Sequence, residues 1–352
     1  AGSGATLPVR DPSTGEPLCE VADASPDDAI AALAAASDKQ AEWAATAPRE
    51  RAEILRRGFE ALMDRRDEFA LLMTLEMGKP VPDSAGEVAY AAEFLRWFSE
   101  EASRIEGSYR VPPSGSNRIL TMRQPVGPSI FITPWNFPMA MGTRKIGPAV
   151  AAGCTMVVKP AAETPLSMLA LAKVLEDCGL PPGVLNVITT SRSGSVMEPV
   201  LRDPRARKLS FTGSTEVGRK LVEQSAQRLL KVSMELGGNA PFLVFDDADL
   251  DVAVEGAVAA KMRNIGEACT AANRFLVHES VAGEFSKRLA ERMGAMRIGR
   301  GTEEGVQVGP LITARAREGV SELVADAVGK GGQVLTGGDP LDGPGWFYRP
   351  TV

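Results

Sequence analysis

The chain has 352 residues, 44% of them hydrophobic and 24% charged, enough apolar material for two or three domains with large cores, which excludes a mainly disordered polypeptide. A net charge of −6 excludes a global positive field that recruits nucleic acid or an anionic membrane. One histidine, His278, and four scattered cysteines, Cys19, Cys154, Cys178 and Cys269, suit neither a zinc module nor a disulfide framework, and fit a reducing compartment. The opening AGSGATLPVRDPSTGEP lacks the apolar core of a signal peptide, and no apolar run reaches the ~20 residues of a membrane span. The reading is a soluble, cytoplasmic protein with no nucleic-acid or membrane partner and no bound metal; its first residue is not methionine, as in a trimmed start.

Helices dominate the first third. Ser25 is a good N-cap, with Pro26 at N1 and Asp27 and Asp28 at the positive end of the dipole. An Ala-rich helix follows and stops near Pro48. Apolar residues at helical spacing (Ile54, Leu55, Leu62, Met63, Phe69, Leu72) predict a second helix over 49–77, ended by Gly78 and Pro80. A third is expected over 83–104, and RVPPSGSNRILTMRQP reads as extended. From Val126 short apolar runs alternate with helical stretches, VGPSIFIT, RKIGPAVAAG, TMVVKP, SMLALAKVLEDCG, VLNVIT and KLSF, the pattern of βαβ units and a parallel sheet. PFLVFDDADLD starts a further strand, helix–strand alternation is expected to continue to the end, and a boundary falls near Asp246.

Several residues carry candidate chemistry. Cys269 lies in NIGEACTAANR, between a glycine-bearing loop and an expected helix. A lone cysteine is commonly a small buried hydrophobe; a reactive one needs positive charge nearby, which Arg263 offers and Glu267 opposes. Glu235, in MELGGNAP, is a surface glutamate or, among Val232, Met234 and Leu236, a carboxylate of raised pKa fit for general-base work. Asn136, after the strand in FITPWNFP, is a turn residue or an amide donor to an oxyanion. In SFTGSTEVGRKLVEQS, Gly213 and Gly218 permit close backbone approach, and the following helix offers free N–H groups to an anion. VVKPAAETP places Lys159 at a strand's carboxyl edge, where α/β sheets bind ligands.

FITPWNFP, KPAAETP, FTGSTEVG, MELGGNAP and GEACTAANR stand in the order and register of the aldehyde dehydrogenase superfamily, which the chain resembles, and most nearly its NADP-dependent succinate-semialdehyde branch. Asn136 precedes Cys269 by 133 residues and Glu235 precedes it by 34. The resemblance implies an α/β fold with a Rossmann-like cofactor domain (1–109 and 125–245), an extended oligomerisation arm (110–124) and an α/β catalytic domain (246–352) in a homodimer or homotetramer. It also implies that Cys269 attacks an aldehyde, that Asn136 holds the oxyanion, and that Glu235 activates water against the thioester. Cofactor contacts then fall on Thr133, Pro134, Trp135, Lys159, Ala162, Gly213, Ser214, Gly218 and Leu236. Ala162 stands where many NAD-preferring relatives carry a glutamate, so Lys159, with Arg192 assisting, is expected to favour NADP, NAD remaining possible. Arg144 and Arg263 match arginines that succinate-semialdehyde dehydrogenases use on the substrate carboxylate, implying succinic semialdehyde or a close ω-oxo acid.

Three departures from the family pattern stand out. Glu267 replaces a common glutamine, Ala271 replaces the second cysteine of a redox pair, and the chain stops at GWFYRPTV before the family's later glutamate-and-phenylalanine motif. Three readings stay open on sequence alone: the semialdehyde dehydrogenase, a dehydrogenase for another aldehyde, and a truncated non-catalytic nucleotide-binding or structural paralogue.

Overall fold

In the computed structural model, which describes residues 4–352, the chain opens with β1 (Thr6–Arg10) paired to β2 (Pro17–Ala22). Helix α1 (Pro26–Ala45) starts at a reciprocal cap: Asp28 N donates to Ser25 Oγ and Ser25 N donates to Asp28 Oδ2, satisfying donors that a helix start leaves open. The single helix expected over 49–77 is two, α2 (Pro48–Asp64) and α3 (Arg66–Met77). Arg65 leaves helical geometry at φ −110°, ψ 24°, and Asp67 and Glu68 then serve the first turn of α3, where negative charge is favourable. α4 (Val81–Glu101) follows, and β3 (Ser108–Arg110) and β4 (Ile119–Thr121) form an exposed antiparallel hairpin.

The βαβ series then appears as β5 (Ser129–Ile132), α5 (Ala140–Ala152), β6 (Met156–Lys159), α6 (Leu166–Asp177), β7 (Leu185–Val187), α7 (Ser193–Arg202), β8 (Lys208–Thr212), α8 (Thr215–Ala226) and β9 (Lys231–Glu235). These strands make one parallel sheet in the order β7-β6-β5-β8-β9. β5 and β6 are buried throughout, which is why they read as unbroken apolar runs. Leu33 of α1, Ile130, Val157, Val200 of α7 and Leu209 share one core; each such fully buried aliphatic contributes about 1.5–3 kcal/mol. The order reverses at β5, so the carboxyl ends of β5 and β8 flank the crevice where doubly wound sheets take ligands.

By contacts the chain divides into two units: the residues up to Leu7 with Val21–Arg66 and Glu87–Glu235, and Pro8–Glu20 with Asp67–Gly86 and Leu236–Val352. The second holds the parallel pair β10 (Ala240–Val244) and β11 (Ala272–Val277), with α9 (Leu250–Met262), α10 (Glu279–Gly294) and α11 (Ala314–Gly329). Val244, Val254, Ala257, Phe285, Leu289 and Met293 form its core. The expected alternation does not run to the end: among the described residues beyond α11 there are one isolated bridge, Pro340 with Tyr348, and the backbone pairing of Leu335 and Thr336 with Val352. No helix among the described residues is long and apolar enough to cross a membrane.

Candidate active site

In the first unit, most predicted site residues lie along the carboxyl edge of the five-stranded sheet. Thr133, Pro134, Trp135 and Asn136 form the turn after β5, with Asn136 half-buried. That turn is fixed at both ends. Thr133 N donates to the Lys159 carbonyl at 3.1 Å, and the buried Glu87 carboxylate accepts from Met139 N and Ala140 N at 2.9 and 3.0 Å, closing the start of α5. Lys159 ends β6, is 5% exposed and donates to Ser193 Oγ at 2.8 Å. Burial pushes its ammonium down to about 8, with Glu163 pulling the other way. Arg192, beside Ser193, is exposed; Ala162 is half-buried.

The strand-turn-helix after β8 differs from expectation in one detail. The turn is Gly213–Ser214 alone, whereas Gly218 is buried inside α8. Gly213 is needed for space, since a Cβ there would stand 2.5 Å from the Phe211 ring. Ser214 caps α8 by accepting from Val217 N, and the first turn of that helix points its N–H groups outward.

Glu235 ends β9, a strand that the sequence reading did not anticipate, and its backbone carbonyl accepts from Gly213 N at 3.0 Å. It is exposed, as are Val232 and Leu236, so the expected apolar enclosure of the carboxylate is absent: β9 is the sheet's edge. Strand alternation puts Ser129, Ser210, Ser233 and Glu235 on the sheet face toward α5. There they line a cavity of about 430 Å³ with Arg144 and Lys145. Lys145 is 6% exposed and donates to Ser210 Oγ at 2.8 Å. Burial first, then Arg144, lower its pKa to about 8, and Glu235 opposes them. Arg144, half-buried, lies over the Phe94 ring at 5.5 Å, a cation–π contact that fixes the guanidinium.

In the second unit, Arg263 and Cys269 share a short loop between α9 and β11, both exposed. The segment after Cys269 is strand β11, not the expected helix; of ANRFLV only Ala272 is fully buried. Within the loop Asn264 and Ile265 adopt left-handed geometry at φ 55° and 54°, followed by Gly266 at 87°. Glu267 has its Oε2 beyond solvent reach. Burial pushes this carboxyl up to about 8, against the pull of Lys79. That shift favours the protonated carboxyl near neutral pH and so weakens the negative charge it brings to the loop of Cys269.

The pattern of the aldehyde dehydrogenase family matches residues 1–352. The chain belongs to that family. It is 59% identical over 335 residues to a succinate-semialdehyde dehydrogenase of Paenarthrobacter nicotinovorans, covering 95% of this chain and 74% of that protein. It is 49% identical to a glutarate-semialdehyde dehydrogenase of Pseudomonas aeruginosa, covering 100% of this chain and 73% of that one. The crystal structure of an E. coli NADP-dependent enzyme superposes with a TM-score of 0.96 at 48% identity, covering 99% of this chain and 72% of that one.

A nicotinamide dinucleotide, implied by the family, fits the residues present. Thr133 Oγ1 and Thr212 Oγ1 are buried at the ends of β5 and β8 with no hydrogen-bond partner, Lys159 is a desolvated cation, and the α8 start offers N–H groups to a phosphate. For an aldehyde dehydrogenase, sequence reasoning missed Lys145, Ser193, Thr212 and Glu87. Only Thr212 carried a signal, as the hydroxyl before Gly213 in SFTGST; a helical lysine such as Lys145 reads as a solvated side chain. Among the described residues no acidic, cysteine or histidine cluster is placed to hold a metal.

Proposed function

We propose that this aldehyde dehydrogenase oxidises succinic semialdehyde or a close ω-oxo acid to the dicarboxylate, with NADP as preferred cofactor and NAD as the second. The observation that carries the substrate reading is Arg144, a half-buried cation held against Phe94, which is fixed before a carboxylate arrives and so recognises one at low entropic cost. The name of the 59% identical relative supports it. The glutarate-semialdehyde relative favours a second reading, a substrate one carbon longer.

Cys269, as thiolate, adds to the aldehyde carbon. The developing oxyanion accepts from the Asn136 amide and the Cys269 backbone N–H, and the closed start of α5 keeps the Asn136 turn in register. When bound, the nicotinamide supplies the two-electron oxidation that leaves a thioester on Cys269. Glu235 takes a proton from water, which attacks the thioester, releases the acid and restores the thiolate. Lys145, in the cavity that Glu235 lines, titrates near 8, and its neutral amine serves as the onward acceptor of the proton that Glu235 has taken. Arg144 and Arg263 hold the far carboxylate of the substrate.

Lys159 and the neutral Ala162 suit a 2′-phosphate. Thr133, Pro134, Trp135, Thr212, Gly213, Ser214, the buried Gly218 of α8 and Leu236 frame the rest of the cofactor. In the same proposal 1–109 and 125–245 bind the cofactor, 246–352 carry the nucleophile, and 110–124 form the arm of a cytoplasmic homodimer or homotetramer. Exposed Tyr109, Leu120 and Met122 on the β3–β4 hairpin support the arm, since apolar side chains there have no core of their own. The test is reduced-cofactor absorbance with succinic semialdehyde, NADP beside NAD, and propanal as a substrate without carboxylate. Equal kcat/KM for propanal would reject the substrate, and higher kcat/KM with NAD would reject the cofactor preference.

A further inference from the structure

The loop that carries Arg263 and Cys269 contains backbone that needs an external hold. Three consecutive residues, Asn264, Ile265 and Gly266, are left-handed. Glycine takes that geometry freely and asparagine tolerates it, but a β-branched isoleucine is an outlier there. Such strain persists where the surroundings over-determine it. One contact on this turn is long-range: Lys79, fully buried at 0% exposure, donates from Nζ to Asn264 Oδ1 at 2.7 Å. Its backbone is itself wedged. Gly78 sits at φ 96°, Val81 N donates to the Gly301 carbonyl at 3.0 Å, and a side chain at Gly301 would come within 2.5 Å of the Lys79 carbonyl oxygen. Asp83 and Glu267 also face the ammonium.

We propose that Lys79 is a positioning residue for the nucleophile: its buried ammonium-to-amide bond to Asn264 holds the left-handed turn between Arg263 and Cys269, and so sets where both side chains point. Lys79 touches no reacting atom and acts through Asn264. The inference rests on Cys269 being the nucleophile, as proposed above. It assigns work to a lysine that lies between α3 and α4, far along the chain from any of the family-like motifs read in the sequence.

The test uses the complete gene product and two readouts, steady-state kinetics with succinic semialdehyde and the rate of Cys269 alkylation by iodoacetamide followed by peptide mass. Lys79→Met keeps the stem and removes the donor. It is expected to slow alkylation and kcat at least tenfold while leaving KM for the cofactor within twofold. A general loss of fold would instead move both parameters and release the buried Cys154 to alkylation. If Lys79→Met does not fold, Asn264 decides: Asn264→Leu, which removes the acceptor, should reproduce the loss, and Asn264→Asp, which keeps it, should retain most of the rate. Wild-type alkylation and kcat in Lys79→Met, or equal loss in Asn264→Leu and Asn264→Asp, overturn the positioning role alone. Turnover that survives Cys269→Ser overturns the nucleophile assignment, and this inference with it.

Discussion

Glu267→Gln isolates the carboxyl that most separates this nucleophile loop from the family pattern. Glu267 is held at about 8 in the folded loop against 4.5 for the free side chain, chiefly by burial. A raised carboxyl means that the folded state keeps a proton the unfolded chain has lost, so this contribution to stability is full below pH 4.5 and is lost as pH climbs through 8. Linkage puts the loss at about 2 to 3 kcal/mol between pH 5 and 7 and about 1 to 2 kcal/mol more by pH 9. Glutamine has the shape of the protonated acid and never ionises. The variant should therefore gain on the wild type by roughly 4 kcal/mol between pH 5 and pH 9. Urea unfolding at pH 5, 7 and 9, followed by tryptophan fluorescence to which Trp346 of the same unit contributes beside three other tryptophans, reads the difference, because all other titrations cancel between the two proteins. A variant-minus-wild-type gap that is the same at pH 5 and pH 9 would show that Glu267 is already charged in the folded loop, and would refute the account of how Cys269 escapes its carboxylate neighbour.

Removing Arg263 by Arg263→Ala should raise KM for succinic semialdehyde by about 10–100-fold, the worth of one charge-assisted hydrogen bond, with propanal unchanged; a parallel loss for propanal would place Arg263 elsewhere in the reaction. Ala162→Glu should cut kcat/KM for NADP about tenfold or more by like-charge repulsion and spare NAD, measured by reduced-cofactor absorbance; an unchanged NADP/NAD ratio would remove Ala162 from the ribose site. Lys145→Met should erase an ionisation near pH 8 from the pH profile of kcat and slow deacylation about 100-fold, at the lower end of general acid–base effects, seen as accumulation of acyl-enzyme by intact mass; a profile that keeps that ionisation would sink the proton-accepting role.

Legibility of this protein in its sequence follows burial. β5 and β6 are buried from end to end, so their apolar runs announced them, and Ser25 announced α1 through its cap. β9 and β11 escaped notice for the opposite reason: Lys231, Val232 and Ser233 are exposed on a sheet edge, and β11 buries only Ala272 fully, leaving little alternation to read. The break at Arg65 escaped as well, because the apolar stripes of α2 and α3 happen to continue in phase across it. Asn136, Lys159, Glu235 and Cys269 were legible as motifs, since the backbone turns that present them are written locally in glycines and prolines.

The groups that tune those residues are another matter, because they act across chain separations that no local pattern encodes. Lys79 meets Asn264 over 185 residues, Lys145 meets Ser210 over 65, and Glu87 meets Met139 over 52. Each is a polar side chain buried at 6% exposure or less, and each would be expensive there unless paired. Each is also one contact removed from a residue the motifs mark: Asn264 from the Arg263–Cys269 loop, Ser210 from the strand ending beside Gly213, Met139 from the turn of Asn136. A buried charge kept one step behind a reactive side chain costs stability that an apolar residue would not, and its return is geometric: it fixes a loop, a helix start or a cavity wall that the reaction needs in one place. On that reasoning the pairs should behave as units, and cutting either member of Lys79–Asn264 should cost about as much as cutting both.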